Sequence, residues 1–250
     1  MENTSSNAPS VLVTGANKGI GLAIARQLGD HGYRVWLGCR DLGRGEAAAA
    51  ELRTGGVDAR VLTLDVTDAA SVGAAARRLE GEIDALDVLV NNAGISLGMP
   101  FRTSEESLDD IRAMFEVNTF APLAVTQAFL PLLRRAKSAR IVMTSSGLGS
   151  LADATDMAGL FWNVAFAGYC ASKAALNMLT VKLAKELLDE GIKVNAADPG
   201  FTATDLNGHT GHRTVEEAAR IVVDLATLGA LGPSGGFFHD GHAGQSRHRW

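Results

Sequence analysis

Cysteine is scarce in this chain: Cys39 and Cys170 are the two in 250 residues. Two are too few for a disulfide framework, and neither has a second pair or a histidine at zinc-ligand spacing. Both read as buried free thiols. Long runs of like charge are missing too, and the net charge of −5 excludes the basic surface that nucleic-acid binding needs. No apolar stretch approaches the length of a membrane span, and the polar segment from Met1 to Pro9 lacks the apolar core of a secretory leader. A cytoplasmic protein acting on small molecules, with no membrane or nucleic-acid partner, is the expectation. His209, His212, His239, His242 and His248 have no carboxylate or cysteine framework that would complete a tetrahedral site. They read as solvated surface side chains, and no metal is expected.

What the chain does have is apolar residues, at 46%, enough for one sizeable core. The reading is a flexible tail over 1–9 and a single domain over 10–250. Val11 to Thr14 is a short β-branched run, followed by a glycine-rich turn and then apolar residues at helical spacing from Ile20 to Leu28. The alternation continues with strands at 34–39, 59–64 and 88–90 and helices at 45–52 and 69–83. A long helix over 105–135, a strand at 140–143, a helix over 169–190, a strand at 192–196 and a last helix near 215–228 complete it. Strands that are continuously apolar and alternate with helices predict an α/β fold, a doubly wound parallel sheet of about seven strands with helices on both faces.

Gly15, Asn17, Lys18, Gly19, Ile20 and Gly21 fall between the first strand and the first helix. Glycines there expose backbone N–H groups and a helix N-terminus to a pyrophosphate. Alone, the triplet fits an ordinary strand–helix turn equally well. Its spacing, however, resembles the TGxxxGxG loop of the short-chain dehydrogenase/reductase family. The resemblance extends through Asp65, the run Asn91-Asn92-Ala93-Gly94, Asn118, Ser145-Ser146, Tyr169-x-x-x-Lys173 and Pro199-Gly200. It implies a Rossmann-type domain carrying both cofactor and substrate sites.

Within that family an acidic residue commonly ends the second strand in NAD-using members, and here Cys39 stands at that place, followed by Arg40. Arg40 and Lys18 are two cations suited to the 2′-phosphate that distinguishes NADP(H). The resemblance further implies that Asp65 and Val66 border the adenine, that Asn91, Ala93 and Gly94 wall the adenosine side, and that Pro199, Gly200, Thr202 and Thr204 grip the nicotinamide. Turn chemistry alone would also account for the small residues among them.

Tyr169 and Lys173, four apart on one helix face, can reach a common point. A phenol gains acidity beside an ammonium group, which suits it to protonate the alkoxide left by hydride transfer. The family resemblance implies these roles, with Ser146 donating to the substrate oxygen, Lys173 also binding the nicotinamide ribose, and Asn118 holding a water near Lys173. The stretch between Ser146 and Tyr169 is about ten residues longer than the common family pattern. Its Leu148, Phe161 and Trp162, with Ile95 and Phe201, are read as walls of a pocket for an apolar, bulky ketone or aldehyde. Packing of the loop or a subunit contact is the competing account, and a homo-oligomer is allowed for. The N-terminal half resembles the NADPH carbonyl reductases. A 3-oxoacyl-carrier-protein reductase and a non-catalytic NADP-sensing regulator are the alternatives.

Overall fold

The structure, a computed structural model, describes residues 8–98, 102–239 and 246–250. Eight strands form one sheet in the order β3-β2-β1-β4-β5-β6-β7-β8. They are β1 (Ser10–Thr14), β2 (Arg34–Cys39), β3 (Ala59–Thr63), β4 (Val88–Asn91), β5 (Arg140–Thr144), β6 (Lys193–Asp198), β7 (Phe237–His239) and β8 (Ser246–Arg247). The first seven run parallel, as the apolar runs predict, and two-residue β8 pairs antiparallel with β7. Pro9 extends the β1–β2 pairing by accepting from the Arg34 N–H at 2.9 Å, whereas residues 1–7 of the expected tail lie outside the described residues.

The period of two decides which face each strand residue serves. Val11, Val13, Val35, Leu37, Val88 and Val90 pack beneath α1 (Gly19–Asp30), α2 (Leu42–Thr54) and α8 (Val215–Ala226). Leu12, Trp36, Leu89, Ile141 and Met143 pack on the opposite face, against α3 (Ala69–Glu80), α5 (Ala121–Leu133) and α7 (Ala167–Glu186). Burial of each such side chain is worth about 1.5–3 kcal/mol, so both faces contribute and neither can be left to water. Order reverses at β1, whose neighbours are β2 and β4, and the carboxyl ends of those strands open the crevice in which such sheets take ligands.

Three departures from the sequence reading bear on the site. The long helix expected over 105–135 is divided: α4 (Leu108–Phe115) passes through a π turn, Glu116–Phe120, into α5. A π turn preserves the apolar periodicity to within one residue, so the pattern alone does not reveal it. The stretch after β5 contains a 3₁₀ turn at Gly147–Gly149 and a one-turn helix, α6 (Leu151–Ala154). Residues 246–250, for which the sequence predicts no element, pair with β7 through β8 and reach back to the start of α6, where Ser150 Oγ donates to Arg249 O at 2.6 Å.

Candidate active site

The turn from β1 into α1 is built for an anion. Gly15 has φ +66°, in the left-handed region that favours glycine. Gly21 faces the turn so closely that a Cβ there would lie 2.4 Å from Gly15 O and 2.6 Å from Asn92 Nδ2. No side chain caps α1, and its first turn carries no acidic residue. Its free N–H groups and positive dipole end therefore face the crevice.

That crevice is a cleft of about 690 Å³, lined by Gly15, Asn17, Lys18, Gly19, Ile20, Gly21, Arg40, Asp65, Val66, Ala93, Gly94, Ile95 and Thr204, among others. Glycines that a Cβ would obstruct, an uncapped helix start and cations at the rim fit a dinucleotide diphosphate. Arg40 is exposed and lowers the Asp65 pKa, although the hydrogen bonds from Thr67 lower it more. Asp65 Oδ1 accepts from Thr67 N–H at 3.0 Å and Thr67 Oγ1 at 2.7 Å, which fixes the turn after β3. Lys18 is engaged by Asp205, on the loop after β6, rather than turned to Arg40.

Asn91 supports the sheet rather than walling the cleft. Buried, it donates through Nδ2 to Thr126 Oγ1 at 3.1 Å and to Met143 Sδ, inside the sheet–α5 contact and outside the cleft lining. The side chains of a strand alternate, so it is Asn92 that faces the glycine turn, donating to Thr14 O at 2.9 Å. Thr14 was not singled out from the sequence, yet its Oγ1 accepts from Asn92 N–H at 2.9 Å and Ala93 N–H at 3.0 Å. A hydroxyl at the end of β1 thus ties the two sides of the crevice.

The Ser145-Ser146 pair is divided by its surroundings. Ser145 is buried and donates to Asn177 Oδ1 at 2.6 Å, whereas Ser146 accepts from Leu148 N–H at 3.3 Å and lies near enough to the Tyr169 phenol to lower its pKa. Lys173 lies one turn further along α7, buried, with Nζ 5.7 Å from the Tyr169 ring centroid and donating to Thr144 O at 2.8 Å. Burial pushes the Lys173 ammonium down to about 8, partly opposed by the Asp198 carboxylate. Desolvation raises the Tyr169 phenol, and Ser146 lowers it. Both shifts follow from removing charged forms from water.

Asn118 sits in the π turn. Its Oδ1 accepts from Ile95 N–H and its Nδ2 donates to Ile95 O, both at 2.9 Å, and Nδ2 also reaches Ser172 Oγ at 3.1 Å. The amide expected to hold a water is thus a brace between the loop after β4 and α7. A Cβ at Gly94 would lie 3.3 Å from Asn118 Oδ1 and 3.6 Å from Lys173 Nζ, so the cleft floor and the ammonium adjoin.

The loop after β6 closes the other side. Thr202, buried, turns its hydroxyl to Pro199 O and Gly200 O at 3.2 and 3.1 Å, so that its side chain serves the loop rather than the cleft. Thr204 lines the cleft opposite Gly19. Among the residues expected to wall a substrate pocket, Ile95 lines the cleft, while Leu148, Phe161, Trp162 and Phe201 lie beyond its lining. Phe161 packs on Gly147, where a Cβ would meet its ring at 2.7 Å, and so stands one residue from Ser146. Trp162 and Phe201 are half exposed.

His248 corrects the reading of the histidines as solvated. Its side chain is 10% exposed and lies between Asp153 and Asp198. The His239 ring lies 4.4 Å from it, tilted by 37°, and His242 lies outside the described residues. Among the described residues no cluster of metal-ligating side chains is found, and no helix is long and apolar enough to cross a membrane.

A glycine cradle and a buried lysine beside a tyrosine, near the carboxyl edge of such a sheet, fit an oxidoreductase of the Rossmann type. Residues 9–214 match the family model described as short chain dehydrogenase. The chain is 37% identical over 231 residues to the short-chain dehydrogenase anuI of Penicillium roqueforti, covering 89% of this chain and 90% of that one. It is 33% identical to (-)-isopiperitenone reductase of Mentha piperita, over 91% of this chain and 95% of the other. The NADPH-bound carbonyl reductase from chicken fatty liver superposes with a TM-score of 0.84 at 32% identity, covering 98% of this chain and 95% of its own. The chain belongs to the short-chain dehydrogenase family.

Proposed function

We propose that this oxidoreductase uses NADPH to reduce an apolar, bulky ketone or aldehyde to an alcohol, with Tyr169 as the proton donor. The observation that carries the reading is the grouping of Ser146, Tyr169 and Lys173, whose Nζ lies 3.6 Å from where a Cβ at Gly94 of the cleft would stand. NADPH bound in that cleft would supply a hydride to the carbonyl carbon.

The chain's own groups do the rest. Ser146 offers a hydroxyl to the carbonyl oxygen, where negative charge develops and a preorganised donor is most effective. Tyr169 releases its proton to that oxygen, and the Lys173 ammonium stabilises the phenolate that remains. Lys173 is the group to hold the nicotinamide ribose, while Asn118 keeps Ile95 and α7 in register around it. Arg40 at the rim, with Lys18 released from Asp205, suits the 2′-phosphate and supports NADPH over NADH. Phe161, held on Gly147, and the half-exposed Trp162 and Phe201 give an apolar approach to the oxygen site, as an apolar substrate would require.

NADPH consumption measured against a graded series, from small charged carbonyl compounds to aromatic and alicyclic ketones and a 3-oxoacyl thioester, tests this. The aromatic and alicyclic ketones are expected to give the highest kcat/KM. A preference for the small charged compounds, or for the thioester, would overturn the substrate assignment, and binding of NADPH without turnover of any would favour a sensor.

A further inference from the structure

The last residue of β6, Asp198, is a buried carboxylate for which the proposed chemistry has no direct use. Its Oδ1 accepts from Gly200 N–H at 2.9 Å, its Oδ2 would lie 2.9 Å from a Cβ at Gly147, and Oδ2 meets His248 Nε2 at 2.8 Å. The other ring nitrogen of His248, Nδ1, meets Asp153 Oδ2 of α6 at 2.9 Å. An ionised carboxylate only accepts, so a ring between two of them must donate from both nitrogens and carry a positive charge. One imidazolium therefore links three segments: the exit of β6, the loop between Ser146 and Tyr169, and residues 246–250.

Gly200 opens the loop proposed to grip the nicotinamide, and Gly147 follows Ser146. Asp198 is also the charged group that acts on both Lys173 and Tyr169. We propose that His248 is a positioning residue of the active site, which holds Asp198 against Gly147 and Gly200 and balances its charge beside Tyr169 and Lys173. The inference rests on the site reading above, and the residues it adds lie outside the motifs that carry that reading.

Among the described residues the groups facing the ring are Asp153 on α6, Asp198 on β6 and His239 on β7, with Arg249 beside Asp153 at 3.7 Å. The sign of the effect is then set. Removing the imidazolium leaves the Asp198 charge unopposed, and the Lys173 and Tyr169 protons are held more tightly. Removing the Asp198 charge does the reverse.

The test follows the Lys173 titration by NMR of carbon-labelled lysine in the free protein, in His248→Gln, Asp153→Asn and Asp198→Asn. His248→Gln keeps a donor toward Asp198, and Asp153→Asn weakens the imidazolium without touching the site. The first two variants are expected to raise the midpoint, His248→Gln by roughly half a unit or more, and Asp198→Asn is expected to lower it. The basic limb of kcat/KM for 4-nitrobenzaldehyde should move the same way in each. Shifts of one sign in all three variants, or no shift, would overturn the proposal, as would a His248 imidazole titrating at the ordinary value in the unmodified protein. Opposite shifts without any carbonyl turnover would retain the charge coupling and refute the functional reading instead.

Discussion

Lys18 of the glycine turn and Asp205 of the loop after β6 form an ion pair at the cleft that both residues line. Both side chains are more than half exposed, so water and salt screen the pair and hold it weakly. A phosphate dianion competes with it readily. Asp205→Asn is expected to lower the Kd for NADPH about two- to fivefold and to leave that for NADH unchanged. Fluorescence titration of both cofactors checks this, and equal changes for the two would assign the effect to the loop rather than to Lys18.

Arg40 follows Cys39 at the end of β2 and faces the cleft from its exposed rim. NADPH is expected to be preferred over NADH by at least about tenfold, or roughly 1.4 kcal/mol. Arg40→Asp replaces an attraction for the 2′-phosphate with a repulsion and should reduce or invert the preference. Equal affinities in the unmodified protein would end the argument from Arg40 and Lys18.

Tyr169→Phe removes the proposed proton donor and keeps the ring. Turnover should fall by at least about a hundredfold, the lower end of what a positioned general acid supplies. NADPH affinity should change little, since Lys173 still donates to Thr144 O. Near-normal turnover in this variant would take the phenol out of the mechanism.

Lys173 is the costliest group to bury. Its pKa is lowered from 10.5 to about 8 in the folded protein, a penalty of about 3 kcal/mol for keeping it charged below that pH. Across the window from about 8 to 10.5 the unfolded chain binds more protons than the folded one, so stability should rise with pH there. Lys173→Met should raise the Tm at neutral pH, flatten that rise and abolish turnover. Urea unfolding of both proteins from pH 7 to pH 10 measures the slope. A variant no more stable than the parent would mean that the Thr144 hydrogen bond outweighs desolvation.

The parallel sheet was legible because its strands are uninterrupted apolar runs, and the glycine turn because its residue types serve one backbone conformation. Lys18 and Asn91 show where reading by position stops. The sequence places Lys18 in the loop, but the carboxylate that engages it comes from residue 205. Asn91 belongs to the expected motif, yet strand alternation turns it into the core and presents Asn92. The π turn at Asn118 was hidden because one extra residue per turn leaves helical periodicity nearly intact. His248 was misread because nothing local in the Gly/His/Arg-rich end points to its carboxylates. They stand 95 and 50 residues earlier in the chain.

The reversal of strand order at β1 also partitions the labour of the chain. Apart from Asp205, the residues argued to choose between cofactors, Lys18 and Arg40, precede β4, and those argued to move the proton or meet the substrate follow it. A splice just before Val88, exchanging the first three strands for those of a relative, should therefore transplant cofactor choice and leave the substrate range with the remainder. Two traits exercised at one cleft are in this architecture carried by separate stretches of the chain.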